Sequence, residues 1–439
     1  MSNIERLPEV LAERLRIQAD AFGIPGLAVV LVSPERKAIW VHGEDEPGSG
    51  RTVTAQTWFS VASVGKHVTA VAVLDLARRG LLELADPIGR YLTDVPLAWS
   101  DRSILSLLQH TSGLPEYLSY TDADLVPERR EEFMRAYATL QPTWDEGEAW
   151  MYSNTNYILL GFLIAQLSGS SYGVALHGIF DRLGCTGMSV SSPTWAREAN
   201  AKSAGPTALD QLSLQRQVIG DGDISFTAAG AAEWLGLMLG AQALTSQHRN
   251  LMFSETRLKS GLPSPYGCAW FVDRLGNMPI CHHAGHYDGW TAMVYVSLSM
   301  QCAAMVMCNL ALGNTRAVRF LAQMALEGFV PGSTPLSLEL QSDDAPDLTA
   351  SARAQFLRQG AFDPSFFSEE MIRMAERGGA VRNVVNLWSG TEPQIFGLIE
   401  SHRYPTHLVR RYRVAYPERV EHLSVGTTST GKIFWAWPL

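Results

Sequence analysis

Ser63 and Lys66 stand three residues apart, a spacing that puts a hydroxyl and an amine on the same face of a helix. A serine hydroxyl becomes a useful nucleophile only when a base takes its proton, and a lysine serves as that base when its pKa is lowered. The unpaired N–H groups and positive dipole end of a helix start favour negative charge at Ser63 and disfavour an ammonium beside it. The pair is not unique. Of five lysines, Lys432 also follows a serine, Ser429, by three residues. Ser429-Thr430-Gly431-Lys432 lies between two apolar-alternating runs, however, and reads as a hairpin turn.

Two further sites carry chemistry that would complete the first pair. In Tyr152-Ser153-Asn154, a tyrosine shuttles a proton when a cation lowers its pKa from about 10. The asparagine amide either binds a substrate carbonyl or fixes a lysine. In His283-Ala284-Gly285, the glycine is expected to let a substrate lie close to a strand edge, with the next backbone N–H, that of His286, turned into the site.

Other patterns lead elsewhere. Gly169-Ser170-Ser171-Tyr172-Gly173 matches a nucleophile elbow, but a helix precedes it where a strand is required. Gly169 is expected to end that helix and a serine to cap the next. Cys281, His282, His283, His286 and Asp288 suggest zinc, but strand alternation sends His282 and His283 to opposite faces. No metal or other cofactor is called for. His67 and His110 read as structural hydrogen-bonders.

The elements that must hold these residues follow from apolar patterning. An amphipathic helix runs to about residue 21, and runs at 26–32 and 37–42 read as a hairpin. Residues 63–79 form an apolar helix stopped by Gly80, and helices dominate from there to about 242. Strand-like runs return at 266–272, 280–283, 291–297 and 302–309. Strands at both ends with helices between imply one antiparallel sheet flanked by helices, beside a mainly helical subdomain. Residues 1–340 would form that unit. A linker at 341–347 leads to helices at 350–359 and 368–377 and strands at 410–414, 420–425 and 432–437, a small α+β domain over 347–439. Aromatic residues in its last 30 positions read as its core, with a substrate pocket or a homodimer face as alternatives.

Composition sets the class. The 439 residues are 46% hydrophobic and 18% charged, ample for a globular core. A net charge of −9 without basic clusters argues against nucleic acid as a partner. No run reads as a secretory signal or a membrane span, and five scattered cysteines read as buried thiols, so the expectation is a cytoplasmic protein. Arginine outnumbers lysine 30 to 5, which gives weight to a lysine kept at 66, since arginine does not give up its proton.

The three motifs in this order resemble the serine β-lactamase and penicillin-binding protein superfamily, in the branch of esterases, D-aminopeptidases and D-amino-acid amidases. Ser63/Lys66, Tyr152/Asn154 and His283/Gly285 match its Ser-x-x-Lys, Tyr-x-Asn and Lys/His-x-Gly elements. Segments at 85–92, 107–115, 152–161, 181–184 and 220–222 agree, so the resemblance covers about 8–330. It implies a serine β-lactamase-like fold with Ser63 as the acylated nucleophile, and Lys66 and Tyr152 handling its proton. Asn154 would hold the substrate's acyl-side amide, and the backbone N–H groups of Ser63 and His286 would form the oxyanion hole. Histidine at 283 replaces the lysine usual in β-lactamases and cell-wall carboxypeptidases, so a free carboxylate is less strongly demanded. The expected substrate is a small amide, an ester or a short peptide with a D-residue. The rival is a catalytically idle ligand-binding or regulatory protein that kept the fold.

Overall fold

The computed structural model describes residues 4–120, 129–190, 220–240, 244–275, 278–287, 289–310, 315–357, 363–369, 371–372, 392–417 and 419–438. Its centre is a seven-stranded sheet with the order β1-β3-β2-β10-β9-β8-β7. These strands are β1 (Ile4–Glu5), β2 (Gly26–Val32), β3 (Lys37–Gly43), β7 (Phe271–Leu275), β8 (Met278–Tyr287), β9 (Trp290–Ser297) and β10 (Cys302–Cys308). All neighbours pair antiparallel except β1, a two-residue strand parallel to β3. The expected antiparallel sheet is therefore present, with β1 added at one edge and the strand expected at 266–272 shifted to Phe271–Leu275 at the other.

Both faces of this sheet are covered, which explains why its central strands read as unbroken apolar runs. Ala28, Val30 and Val32 of β2 enter one core, while Leu27, Val29 and Leu31 enter the other. Strand β10 divides the same way: Ala303, Met305 and Met307 go to the first core, and Cys302, Ala304, Val306 and Cys308 to the second. All five cysteines are free and buried. Helices Glu9–Ala21 and Arg316–Phe329 cover the second face. The first face carries the mainly helical part, including Lys66–Arg78, Asn154–Ser168 and Ala228–Leu239. Asn154–Ser168 is apolar on nearly every side because it runs through that core.

Three short strands that were not expected form a small sheet of their own: β4 (Trp58–Ser60), just before the stretch read as helical, and β5 (Met188–Val190) and β6 (Ile224–Thr227) inside it. Three or four residues are too few to show a period of two. Their role is local. Val61 N–H donates to the Ile224 carbonyl, which fixes the turn before Ser63.

Beyond the main sheet, β11 (Ile395–Arg403), β12 (His407–Ala415), β13 (Val420–Thr428) and β14 (Ile433–Pro438) make a four-stranded antiparallel meander. Strand β11 was not expected. Helix Pro346–Leu357 occupies the place of the helix expected at 350–359, and the segment read as helix at 368–377 lies mostly outside the described residues. Tyr412, Val414, Leu423, Val425 and Ile433 form this sheet's own apolar core with Ala352 and Phe367. The second serine–lysine pair spans the β13–β14 hairpin, with Gly431 at φ +79°.

Candidate active site

Ser63 sits on a 3₁₀ turn, Ala62–Gly65, and the α-helix begins only at Lys66. The sequence had placed both residues on one continuous helix. Ala62, immediately before Ser63, has φ +46°, a conformation that residues with a side chain rarely adopt. The tight turn brings the amine to the hydroxyl: Lys66 Nζ lies 3.0 Å from Ser63 Oγ. It also reaches Asn154 Oδ1 at 2.8 Å and the Asp221 carbonyl at 2.5 Å. Lys66 is wholly buried, and that burial lowers its pKa to about 8, while the charges of Asp221, Glu116 and Asp223 hold it up.

Those three acids were not singled out from the sequence. Burial raises the pKa of Glu116 to about 7, of Asp221 to about 6 and of Asp223 to about 7. The Glu116 carboxylate accepts from the Asn154 backbone N–H, from Asn154 Nδ2 at 3.5 Å and from Leu118 N–H at 3.2 Å. Glu116 follows directly on the 107–115 segment, and Asp221 lies inside Gly220-Asp221-Gly222. The signal was there, but nothing in the chain pointed it at Lys66.

Asn154, offered either to a substrate carbonyl or to a lysine, is used on the lysine: its carbonyl oxygen accepts from Lys66 and its amide nitrogen faces Glu116. Tyr152 lies over the same site, with Lys66 Nζ 5.0 Å from its ring centroid. Its hydroxyl faces Ser63, which favours the ionised form, but no hydrogen bond between them closes. Burial dominates and raises the Tyr152 pKa well above 10. A cation-lowered tyrosine is therefore not what the free protein holds. Tyr152 is a protonated phenol.

His283 is buried and both its ring nitrogens are engaged. Nδ1 lies 2.7 Å from the Ala284 carbonyl, which only accepts, so Nδ1 carries the proton and Nε2 accepts from Tyr266 Oη at 2.9 Å. Burial and the Lys66 charge lower its pKa to about 3. It packs near Tyr152 at 5.9 Å between ring centroids, and in this state it has no free donor for a substrate.

Gly285 is held against the nucleophile's turn. A Cβ there would lie 1.9 Å from the Val61 carbonyl oxygen and 3.2 Å from Ser63 N. The bare backbone makes room for the nucleophile's own turn, a neighbour that the strand itself does not announce. It also brings the Ser63 amide, which has no intrahelical partner at that position, beside the Gly285-His286 segment. The His286 side chain is exposed. Gly285→Ala is expected to destabilise the protein by about 2 kcal/mol. By displacing Ser63 it should also lower kcat by about 10²-fold. Chemical denaturation and steady-state kinetics on the same sample check both.

His67 does not act through hydrogen bonds. Its ring stacks on Trp270 at 3.7 Å and 9°, neither nitrogen completes a bond, and only the Ala269 backbone favours its protonated form. His110 does bond: Nδ1 accepts from Ser153 N–H at 3.3 Å and from Asn156 Nδ2 at 3.1 Å, tying the Tyr152 loop in place. His282 points away from the site, with Nδ1 3.3 Å from an Arg319 nitrogen, so the cysteine–histidine run does not converge. Asp288, part of that run, lies outside the described residues. The elbow-like stretch holds a helix end at Gly169 (φ +63°) and a cap, Ser171, which accepts from Val174 N–H.

Burial lowers the pKa of His67, His110, His248, His282, His283, His407 and His422 below the usual 6.5. Such groups stabilise the fold fully above the unfolded value and lose that contribution as pH falls toward the folded value. Glu116, Asp221 and Asp223, with raised values, work in the opposite direction between about pH 4 and 7. Seven histidines against four acids, counting Glu255, whose pKa burial also raises, give a net loss on acidification. The melting temperature is expected to fall between pH 7 and 5, and a thermal scan across that range checks it.

A family model described as Beta-lactamase matches residues 11–327. The chain belongs to the β-lactamase family. It is 26% identical over 284 residues to penicillin-binding protein 4* of Bacillus subtilis (strain 168), covering 57% of this chain and 60% of that protein. It is 29% identical over 198 residues to a β-lactamase of Escherichia coli (strain K12), covering 43% of this chain and 51% of that one. The chain thus spans only about half to three-fifths of the length of these curated relatives. Among solved structures, a D-amino acid amidase from Ochrobactrum anthropi SV3 complexed with L-phenylalanine amide has the same fold. Its TM-score is 0.62 at 20% identity, over 73% of this chain and 98% of that one. An octameric penicillin-binding protein homologue from Pyrococcus abyssi gives 0.63 at 16% identity, over 97% of this chain and 94% of that one. This second likeness extends over the C-terminal sheet.

Proposed function

We propose that the protein is a serine hydrolase that cleaves a small amide, peptide or ester through an acyl-enzyme on Ser63. One observation carries this reading: a buried lysine with a pKa of about 8, its Nζ 3.0 Å from a serine hydroxyl at a helix start. When Lys66 is neutral, its two N–H bonds are taken by Asn154 Oδ1 and the Asp221 carbonyl. The lone pair is left for Ser63. Lys66 then takes the Oγ proton as Oγ attacks the substrate carbonyl, and the backbone N–H groups of Ser63 and His286 bind the developing oxyanion. The protonated Tyr152 donates to the leaving amine or alkoxide as the carbon–heteroatom bond breaks, and Lys66 returns that proton to Tyr152. Water hydrolyses the ester by the reverse sequence.

The surroundings favour a substrate with a basic group over one with a free carboxylate. His283 is neutral, and the groups around Lys66 are acids. Likeness to a D-amino acid amidase supports the same choice. The test is intact mass after exposure to a fluorophosphonate, followed by peptide mapping. An adduct on Ser63 supports the reading, and none at any practical concentration overturns it in favour of an idle binding protein. Turnover of D-alanine amide, p-nitrophenyl esters and a chromogenic cephalosporin then sorts the substrate class.

A further inference from the structure

We propose that Arg411, on the C-terminal sheet, is a positioning residue for the active site, acting through Asp273 and the edge strand β7. The inference rests on the hydrolase reading above. Arg411 projects from the face of β12 opposite that sheet's own core. It is 2% exposed although it belongs to a sheet outside the catalytic one. Its guanidinium donates to Asp273 Oδ1 through Nε at 3.1 Å and through a second nitrogen, and its third nitrogen reaches Glu400 Oε2 at 2.9 Å. Asp273 sits at the middle of β7 and is itself 7% exposed.

A short path leads from that fork to the reacting groups. Strand β7 has one partner in the sheet, β8, and otherwise forms its edge. Two residues before Asp273, the Phe271 ring packs 4.9 Å from Tyr266 and 5.3 Å from His283. Tyr266 bridges back to Phe271 along the backbone, and Val272 N–H donates to the Pro265 carbonyl. Tyr266 Oη holds His283, and His283 packs against Tyr152. The loop that carries Tyr266 is thus anchored downstream by β7, and Arg411 holds β7 from outside.

Apolar packing would join two sheets closely, but the force that drives it has no preferred direction. A buried arginine that aims two N–H groups at one oxygen of Asp273 and a third at Glu400 fixes both distance and direction. Such a network adds little to stability over well-packed apolar residues of similar size, so its effect falls on geometry.

The test separates geometry from stability. Replace the network by apolar residues (Arg411→Met, Asp273→Leu, Glu400→Met), and separately make Arg411→Lys, which keeps the charge but not the fork. Active sites are first counted by fluorophosphonate labelling, and kcat and KM are expressed per labelled site. The expected result is kcat lower by about tenfold to a hundredfold in the apolar variant, with KM nearly unchanged and the melting temperature close to wild type. Arg411→Lys should show a smaller loss in kcat of the same kind. A kcat per labelled site equal to wild type in both variants overturns the proposal, as does a loss confined to KM. If the apolar variant does not fold, Arg411→Lys decides alone. Failure of the wild-type protein to label at all overturns the hydrolase reading instead.

Discussion

Ser63→Ala is expected to lower kcat by about 10⁵–10⁶-fold and to abolish the fluorophosphonate adduct. The loss is large because every other feature of the site serves that one oxygen. Lys66 has its lone pair free only toward Ser63, since its other directions are taken by Asn154 and the Asp221 carbonyl. The turn is bent through Ala62 at φ +46°, and Gly285 is kept bare where that turn approaches the strand. The fold itself barely depends on the hydroxyl, whose one described hydrogen bond is to Lys66. Circular dichroism and the melting temperature should therefore stay close to wild type. Turnover within about 10²-fold of wild type would mean that the reaction does not pass through this oxygen.

The second large effect concerns Lys66 and pH. The neutral amine is the active form, so kcat/KM is expected to climb as pH rises through about 8 and then level off. Lys66→Met should lower kcat by about 10²–10⁴-fold and remove that inflection. The neighbouring acids give an independent check on the sign. The charge of Asp221 favours the ammonium, so Asp221→Asn should move the inflection to lower pH. A profile that is flat between pH 7 and 9, or that moves upward in Asp221→Asn, contradicts the assignment of Lys66 as base.

Much of this was legible in the chain because it was written at short range. The runs at 26–32 and 302–309 are seven or eight residues long and faced by core on both sides, so they stand out. Ser63 and Lys66 are neighbours in space because they are neighbours in sequence. What was not legible depends on segments far apart. Glu116 and Asp221 meet Lys66 only after the helical part and the 220–224 turn have folded around it, and no local pattern encodes that meeting. The direction of the Tyr152 pKa was misjudged for the same reason. Proximity to a cation can be read from a motif, but the degree of desolvation cannot, and here desolvation wins. Gly285 is the converse case. The residue was singled out correctly, but its neighbour is the backbone of Val61, which nothing in its own strand could reveal.

The way His283 is held bears on how this lineage could acquire new chemistry. A lysine at that position is one route to gripping a carboxylate, and a codon for histidine is two base changes from one for lysine. The obstacle is physical. A lysine there would bring a second ammonium into a buried site already containing Lys66, in place of a neutral imidazole engaged by the Tyr266 hydroxyl and the Ala284 carbonyl. Burying an unpaired charge destabilises by several kcal/mol. The exchange therefore needs at least one accompanying change, such as an added acceptor at 266 or an opening to solvent. A shift toward carboxylate-bearing substrates by this route therefore draws on two changes at the site rather than one.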